Sequence, residues 1–188
     1  MANKKVCVDL SKLFNNKGVS WIGLGIAGSF DHSGISVPGE ILPDGITVTW
    51  CDIPFQFPKT SSIENDHICC EEQTIEVDPN SYRQIYVAGF SLYGDYSDRV
   101  WIHYEDGSSE DKEFGLSDWY SRTEAGNGLK HSEQVAMMIP YYYENGIKIQ
   151  AMRGIWIQRL LIDPNKKLHS IRLPDNPYMF IFAITAEE

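Results

Sequence analysis

Short apolar segments recur along the whole chain, with turn-forming residues between them, and no long stretch has helical periodicity. Segments of this kind are typical of β-strands joined by tight connections. In residues 99–104, Val100 and Ile102 alternate with Trp101 and His103, so one face of a strand would point to a core. The pattern predicts strands over residues 6–10, 46–50, 73–77, 84–92, 99–104, 148–152, 155–162, 168–173 and 178–185.

The last segment is apolar at every position from Met179 to Ile184, which predicts a strand buried in the middle of a sheet. Two antiparallel sheets packed around such strands form a sandwich. We therefore predict an all-β fold, a two-sheet antiparallel β-sandwich of the jelly-roll type. The length of 188 residues, without a repeat or a linker, predicts one domain over residues 1–188.

Three connections carry clear turn chemistry. The Asp106-Gly107 pair predicts a hairpin that joins the strand at 99–104 to a following polar strand. Proline-containing turns at 163–166 and 173–177 predict that the last three strands are joined by tight reversals.

The remaining segments have weaker patterns. Helix is predicted only as a short turn at 11–14 and as a segment over 132–138. Residues 30–43 and 117–143 are interpreted as two long loops, and a long loop in a compact domain often carries function.

Composition and charge narrow the classes of protein and ligand. An apolar fraction of 43% and a charged fraction of 22% are typical of a soluble globular protein. The formal net charge of −10 disfavours nucleic acid as a partner, because phosphate backbones would be repelled. The first residues show no apolar stretch of a secretion signal, and no apolar run is long enough for a membrane span. We therefore expect a cytoplasmic protein without membrane contact.

Motifs of catalysis are missing from the sequence. The cysteines at 7, 51, 69 and 70 match no zinc pattern, and we expect reduced thiols. Residues 23–28 fit the string G-x-G-x-x-G, but no βαβ pattern surrounds them, so they are interpreted as a strand or turn. We assign no catalytic residue, and the question of enzyme activity stays open, with a non-enzymatic role favoured.

Several short motifs follow one another in order through nearly the whole chain, at residues 8–11, 14–18, 29–34, 37–43, 53–58, 116–119, 161–166, 170–174 and 181–185. In their order and spacing the chain resembles the galactose-binding-like accessory domains of bacterial glycoside hydrolases, which are carbohydrate-binding modules. The resemblance implies a β-sandwich and a carbohydrate ligand. Domains of this kind often hold a structural Ca²⁺ beside the first and last strands, so the resemblance also implies metal ligation by Asp9, Asp31 and Glu187.

Sugar binding requires flat aromatic faces with polar groups nearby. The loop at 93–98 is the strongest candidate, because it combines two tyrosines, two aspartates and a serine. Trp119 has two interpretations: it packs beside a loop that Asp118 caps, or it stacks on a ligand. The candidate ligand-binding residues are Trp21, Tyr93, Asp95, Tyr96, Trp119, Tyr120, His131, Tyr142 and Arg153.

Three hypotheses follow for the function. The leading one is non-catalytic binding of a carbohydrate or a sugar-bearing small molecule. The second is a small-molecule lyase, isomerase or cyclase built on the same sandwich. The third is a structural subunit that forms a homodimer or supports an enzyme partner.

Overall fold

The structure is a computed structural model that describes residues 3–121 and 128–188. Two short 3-10 helices, Ile22–Leu24 and Gly39–Ile41, are the helical elements of these residues. The strands are β1 (Lys5–Val8), β2 (Val19–Ser20), β3 (Ile35–Pro38), β4 (Thr47–Trp50), β5 (Ile53–Gln56), β6 (Ile68–Glu71), β7 (Thr74–Asn80), β8 (Gln84–Ser91), β9 (Tyr96–Tyr104), β10 (Ser109–Leu116), β11 (Gln134–Ile139), β12 (Tyr142–Glu144), β13 (Ile147–Ile149), β14 (Arg153–Leu161), β15 (Leu168–Arg172) and β16 (Asp175–Glu187).

Two antiparallel sheets form the sandwich that the hydrophobic pattern predicts. The first has the order β1-β16-β8-β14-β11, with β6 also pairing with β16, and the second has the order β10-β9-β15-β7. Their facing side chains make one apolar core that includes Ile75, Ile85, Val100, Ile102 and Ile181. The predicted burial of Val100 and Ile102 is confirmed, and the all-β sandwich class is confirmed with it.

The outer face of the first sheet is covered by a third layer, which the sequence did not predict. Strands β2, β3, β12 and β13 form a small sheet, and β4 pairs with β5 as a hairpin. Beneath this layer lies a second core that is rich in aromatic rings, including Phe30, Phe57, Phe90, Phe180 and Phe182. The first sheet is therefore buried on both of its faces.

Strand β16 serves both cores because successive side chains lie on opposite faces of the sheet, and a β-bulge within it reverses the alternation. Phe180 and Phe182 belong to the aromatic core, whereas Ile181 and Ile184 belong to the core between the two large sheets. The register shifts between Ile181 and Ala183, which changes the face on which the following side chains lie. The prediction of an apolar strand inside a sheet is confirmed, since β16 pairs with β8 on one side and with β1 and β6 on the other.

Each predicted strand segment overlaps an observed strand, but the predictions for four other segments, two of helix and two of long loop, differ from the structure. Residues 132–138 are not helical, because Val135 and Met137 are half-buried in strand β11 against the aromatic core. Tertiary packing outweighs local preference here. The segment at 11–14 forms a turn and no helix, and the predicted loops at 30–43 and 117–143 contain strands β3, β11 and β12.

The predicted turns exist, but two of them connect different sheets. The hairpin between β9 and β10 closes at Gly107, which has a φ of 82°. The turn at 163–166 leads from β14 in the first sheet to β15 in the second, and the connection at 173–174 leads back to β16 in the first. Strand β15 thus lies in the sheet opposite β14 and β16 instead of pairing with them as a hairpin.

A buried carboxylate anchors the start of the third layer. Asp66 is fully buried and accepts hydrogen bonds from Lys17 Nζ at 2.6 Å, Gly18 N at 2.9 Å and Val19 N at 3.2 Å. The ring of His67 lies beside it, with Nδ1 3.0 Å from a carboxylate oxygen. These contacts fix the chain at β2 against the loop that precedes β6.

Candidate functional site

An open cleft of about 420 Å³ lies where the loop after β10 meets the third layer. The loop brings residues 118–120, strand β14 begins with Arg153, and Tyr142 lies on β12. We call it the aromatic cleft, and its lining residues are Ile35, Leu92, Tyr93, Asp118, Trp119, Tyr120, Tyr142 and Arg153. Its volume lies in the range of small-molecule sites, about 300–1,000 Å³.

The guanidinium of Arg153 occupies the centre of the aromatic cleft. Its Cζ lies 4.7 Å from the ring centroid of Tyr142, 4.9 Å from that of Tyr120 and 5.2 Å from that of Trp119. These are distances at which a cation is attracted by the faces of aromatic rings. Nη1 donates to the carbonyl oxygen of Met152 at 2.7 Å, whereas Nε is buried without an acceptor among the described residues.

The loop at 117–121 is held by backbone contacts to β8 and β14. Trp119 N donates to the Ser91 carbonyl at 2.9 Å, and Gly154 N donates to the Trp119 carbonyl at 2.7 Å. The indole Nε1 of Trp156 donates to the carbonyl of Ser117 at 3.0 Å. The loop therefore presents its side chains from a fixed backbone.

Trp119 is a wall of the aromatic cleft and not an open platform. Its side chain is only 5% exposed and stacks on Phe90, with ring centroids 5.3 Å apart and the planes at 25°. Asp118 Oδ1 accepts the N–H of Tyr120 at 2.8 Å, which is the loop cap that one interpretation of Trp119 expects. The exposed rings of the cleft are Tyr93, at 56%, and Tyr120, at 40%.

Two aspartates shape the charge at this loop. Asp95 Oδ1 accepts the N–H of Asp118 at 2.9 Å and the hydroxyl of Ser121 at 3.0 Å, so Asp95 supports the loop from behind. Burial raises the pKa of Asp118, and the charge of Asp95 adds to this. The N–H of Tyr120 and the charge of Arg153 act in the opposite direction, so the net rise is the balance of these effects.

Tyr93 is positioned by a strained backbone and a carboxylate. Its φ is 67°, which a non-glycine residue adopts rarely, and its hydroxyl donates to Asp31 Oδ2 at 2.5 Å. Burial and this hydrogen bond raise the pKa of the Tyr93 phenol. Its ring meets Tyr178 edge to face, and Tyr178 in turn stacks on Tyr96.

The structure thus brings part of the predicted ligand-binding set together. Five of its members line the aromatic cleft: Tyr93, Trp119, Tyr120, Tyr142 and Arg153. Asp95 accepts a hydrogen bond from the backbone of Asp118, and Tyr96 stacks on Tyr178, which contacts Tyr93.

Trp21 and His131 do not line the aromatic cleft. The Trp21 indole donates to Thr60 Oγ1 at 3.1 Å and covers Gly39, and the His131 ring covers Gly115. Ile35 and Leu92 were missed as lining residues, because nothing in an apolar sequence pattern distinguishes a lining residue from a core residue.

The three carboxylates predicted to bind Ca²⁺ belong to separate networks. Asp9 accepts the N–H of Ser11, Asp31 accepts from Tyr93, and Glu187 accepts from Tyr86 and from the amide of Asn3. In residues 3–121 and 128–188 no group of three histidine, cysteine or acidic side chains could hold a metal ion. The structure therefore does not bring the three predicted ligands together, and a bound Ca²⁺ stays a prediction. In the same residues, no helix is both long and apolar enough to cross a bilayer.

The layers and the strand order together define the chain as a β-sandwich domain. A family described as the AziU2-like beta-sandwich domain matches residues 4–188, so the chain belongs to this family. No curated protein matches the chain. The β-sandwich prediction is thereby confirmed, and the finer resemblance to galactose-binding accessory domains stays a prediction.

Proposed function

We propose that this domain binds a carbohydrate, or a small molecule that bears a sugar, in the aromatic cleft and does not transform it. The observation that carries the proposal is the arrangement of Tyr120, Tyr142 and Trp119 around the guanidinium of Arg153 in an open cleft. Aromatic faces cover the C–H side of a sugar ring, and a guanidinium donates to its oxygens.

The shape of the aromatic cleft supports binding of one or two rings. Tyr93 and Tyr120 expose enough surface to contact a ligand, while Trp119 and the fixed backbone behind it limit rearrangement. A preformed site loses less conformational freedom when a ligand binds. The formal net charge of −10 argues against a phosphate-rich polymer as the ligand.

One observation favours an enzyme as the second candidate function. Asp118 lines the aromatic cleft with a raised pKa, and a perturbed carboxyl in a cleft is a candidate acid or base. Its Oδ1 already caps the N–H of Tyr120, which is a structural task. An Asp118→Asn variant that binds a ligand as the wild type does but no longer converts it would favour the enzyme.

The direct test is a glycan array, run with and without a chelator, on the wild type, Tyr120→Ala and Arg153→Gln. Trp101→Ala is the matched control, because Trp101 is an aromatic side chain of similar exposure, 43%, on β9 of the opposite sheet. We expect both cleft variants to lose about tenfold or more in affinity, while the control is unchanged. Trp119 is not a fair test, since its removal would open the core.

Binding that survives both cleft variants would remove the aromatic cleft from the function. Circular dichroism and a denaturation curve for each variant establish that the fold is intact. A change in binding on adding chelator would point to a metal ion, for which the three predicted carboxylates provide no shared site.

A further inference from the structure

We infer that the ligand of the aromatic cleft carries a carboxylate, and that Arg153 binds it. This inference rests on the proposed function and adds the chemical class of the ligand. The guanidinium has a single hydrogen bond within the described residues, from Nη1 to the Met152 carbonyl, and its buried Nε has no acceptor there.

Two other arginines, Arg99 and Arg172, form ion pairs with carboxylates. Arg99 lies 3.1 Å from a carboxylate oxygen of Asp111, and Arg172 lies 2.6 Å from one of Glu72. Both pairs are exposed at the surface. Arg153 forms no such pair with the described residues, and the centroids of three aromatic rings lie 4.7–5.2 Å from its Cζ.

A donor that is buried without an acceptor is costly, so proteins rarely leave one without a reason. The negative faces of the surrounding rings attract the guanidinium, whose one hydrogen bond within the described residues is the one from Nη1 to Met152. An arginine held in this way is suited to a planar anion that accepts two parallel hydrogen bonds. A ligand carboxylate in the cleft would give this guanidinium an anionic acceptor, which the described residues do not provide.

The charges around the aromatic cleft favour a carboxylate over a phosphate. Asp118 lines the cleft, and Asp31 lies at its edge, hydrogen-bonded to the hydroxyl of Tyr93. A phosphate carries more negative charge than a carboxylate and would be repelled more strongly by these two groups. One guanidinium can balance a single negative charge, so a monoanionic sugar acid fits best.

The test is isothermal titration calorimetry with glucuronate, glucose and glucose 6-phosphate as probes. The proteins are the wild type, Arg153→Lys, Arg153→Gln and Tyr120→Ala, with Trp101→Ala as the control. We expect the wild type to prefer glucuronate over glucose by about tenfold. Arg153→Gln should lose this preference. Arg153→Lys should lose most of it, because lysine keeps the charge but lacks the two parallel N–H donors of a guanidinium.

Tyr120→Ala separates the inference from the proposed function. It should weaken binding of all three sugars by a similar factor and keep the preference for glucuronate, since it removes ring contacts but keeps Arg153. Equal affinity of the wild type for glucuronate and glucose, a preference that persists in Arg153→Gln, or tighter binding of the phosphate would overturn the carboxylate inference alone. The proposed function would be overturned as well if Tyr120→Ala bound all three sugars as tightly as the wild type does, or if the wild type bound none of them.

Discussion

The Asp66 anchor makes a strong prediction about how the third layer is held to the sandwich. Asp66→Asn removes a fully buried negative charge that faces the ammonium of Lys17 and the N–H groups of Gly18 and Val19. The new amide also points N–H donors at groups that are themselves donors. The Lys17 side chain is 13% exposed, so water can solvate it only poorly once its partner is neutral.

Removing one partner of a buried ion pair costs about 3–5 kcal/mol in free energy of unfolding. In a domain of this size that corresponds to a fall in Tm of roughly 6–20 °C. Urea denaturation followed by tryptophan fluorescence measures the change. The matched control is Glu105→Gln, because the Glu105–Lys167 pair is exposed on both sides and should contribute less than about 1 kcal/mol.

A double-mutant cycle separates the ion pair from the backbone hydrogen bonds. Lys17→Met in the Asp66→Asn background removes the unpaired ammonium, so the double variant should recover part of the lost stability. If Asp66→Asn lowers the free energy of unfolding by less than about 1 kcal/mol, the anchor does not hold the layer and the reasoning is refuted.

Three further predictions concern packing, thiol chemistry and acid stability. Gly154→Ala should cost about 1–3 kcal/mol in urea denaturation, because its Cβ would lie 1.9 Å from a buried indole ring, whereas Gly23→Ala, which meets nothing within 4 Å, should stay within about 0.5 kcal/mol of wild type. Cys51 is exposed and should react with Ellman's reagent in the native protein at pH 8, whereas Cys69 should react only after unfolding, since burial raises its pKa to about 12; rapid native reaction at both would contradict this. Burial raises the pKa of Asp44, but hydrogen bonds from an ammonium, two hydroxyls and two backbone N–H groups outweigh burial and hold that pKa well below its ordinary value. The ionised Asp44 therefore stabilises the fold fully above about pH 4, and this stabilisation is lost as the pH falls. Asp44→Asn should consequently lose less stability than the wild type when the pH is lowered below about pH 4.

Prediction of the site was partial because its residues come from distant parts of the chain. Tyr93, Trp119, Tyr142 and Arg153 were all candidates from residue type alone, and the fold brings them to one cleft. Residue type could not distinguish them from Trp21, which is equally aromatic but donates a hydrogen bond to the buried Thr60 outside the cleft. Proximity in space depends on strand order, and strand order is not encoded in any local pattern.

The alternation of apolar and polar residues by itself determined strands such as β9 and the side that it buries, at Val100 and Ile102, because side chains alternate between faces within one extended segment. It also determined the Asp106-Gly107 hairpin, whose geometry is local. Only the tertiary structure decided which strands pair, that β14 and β15 lie in opposite sheets, and that residues 132–138 extend as part of a strand instead of a helix. The physical reason is that strand pairing and layer order depend on contacts between residues far apart in sequence, which bury apolar side chains together. Contacts of this kind form both the aromatic core under the third layer and the cleft around Arg153.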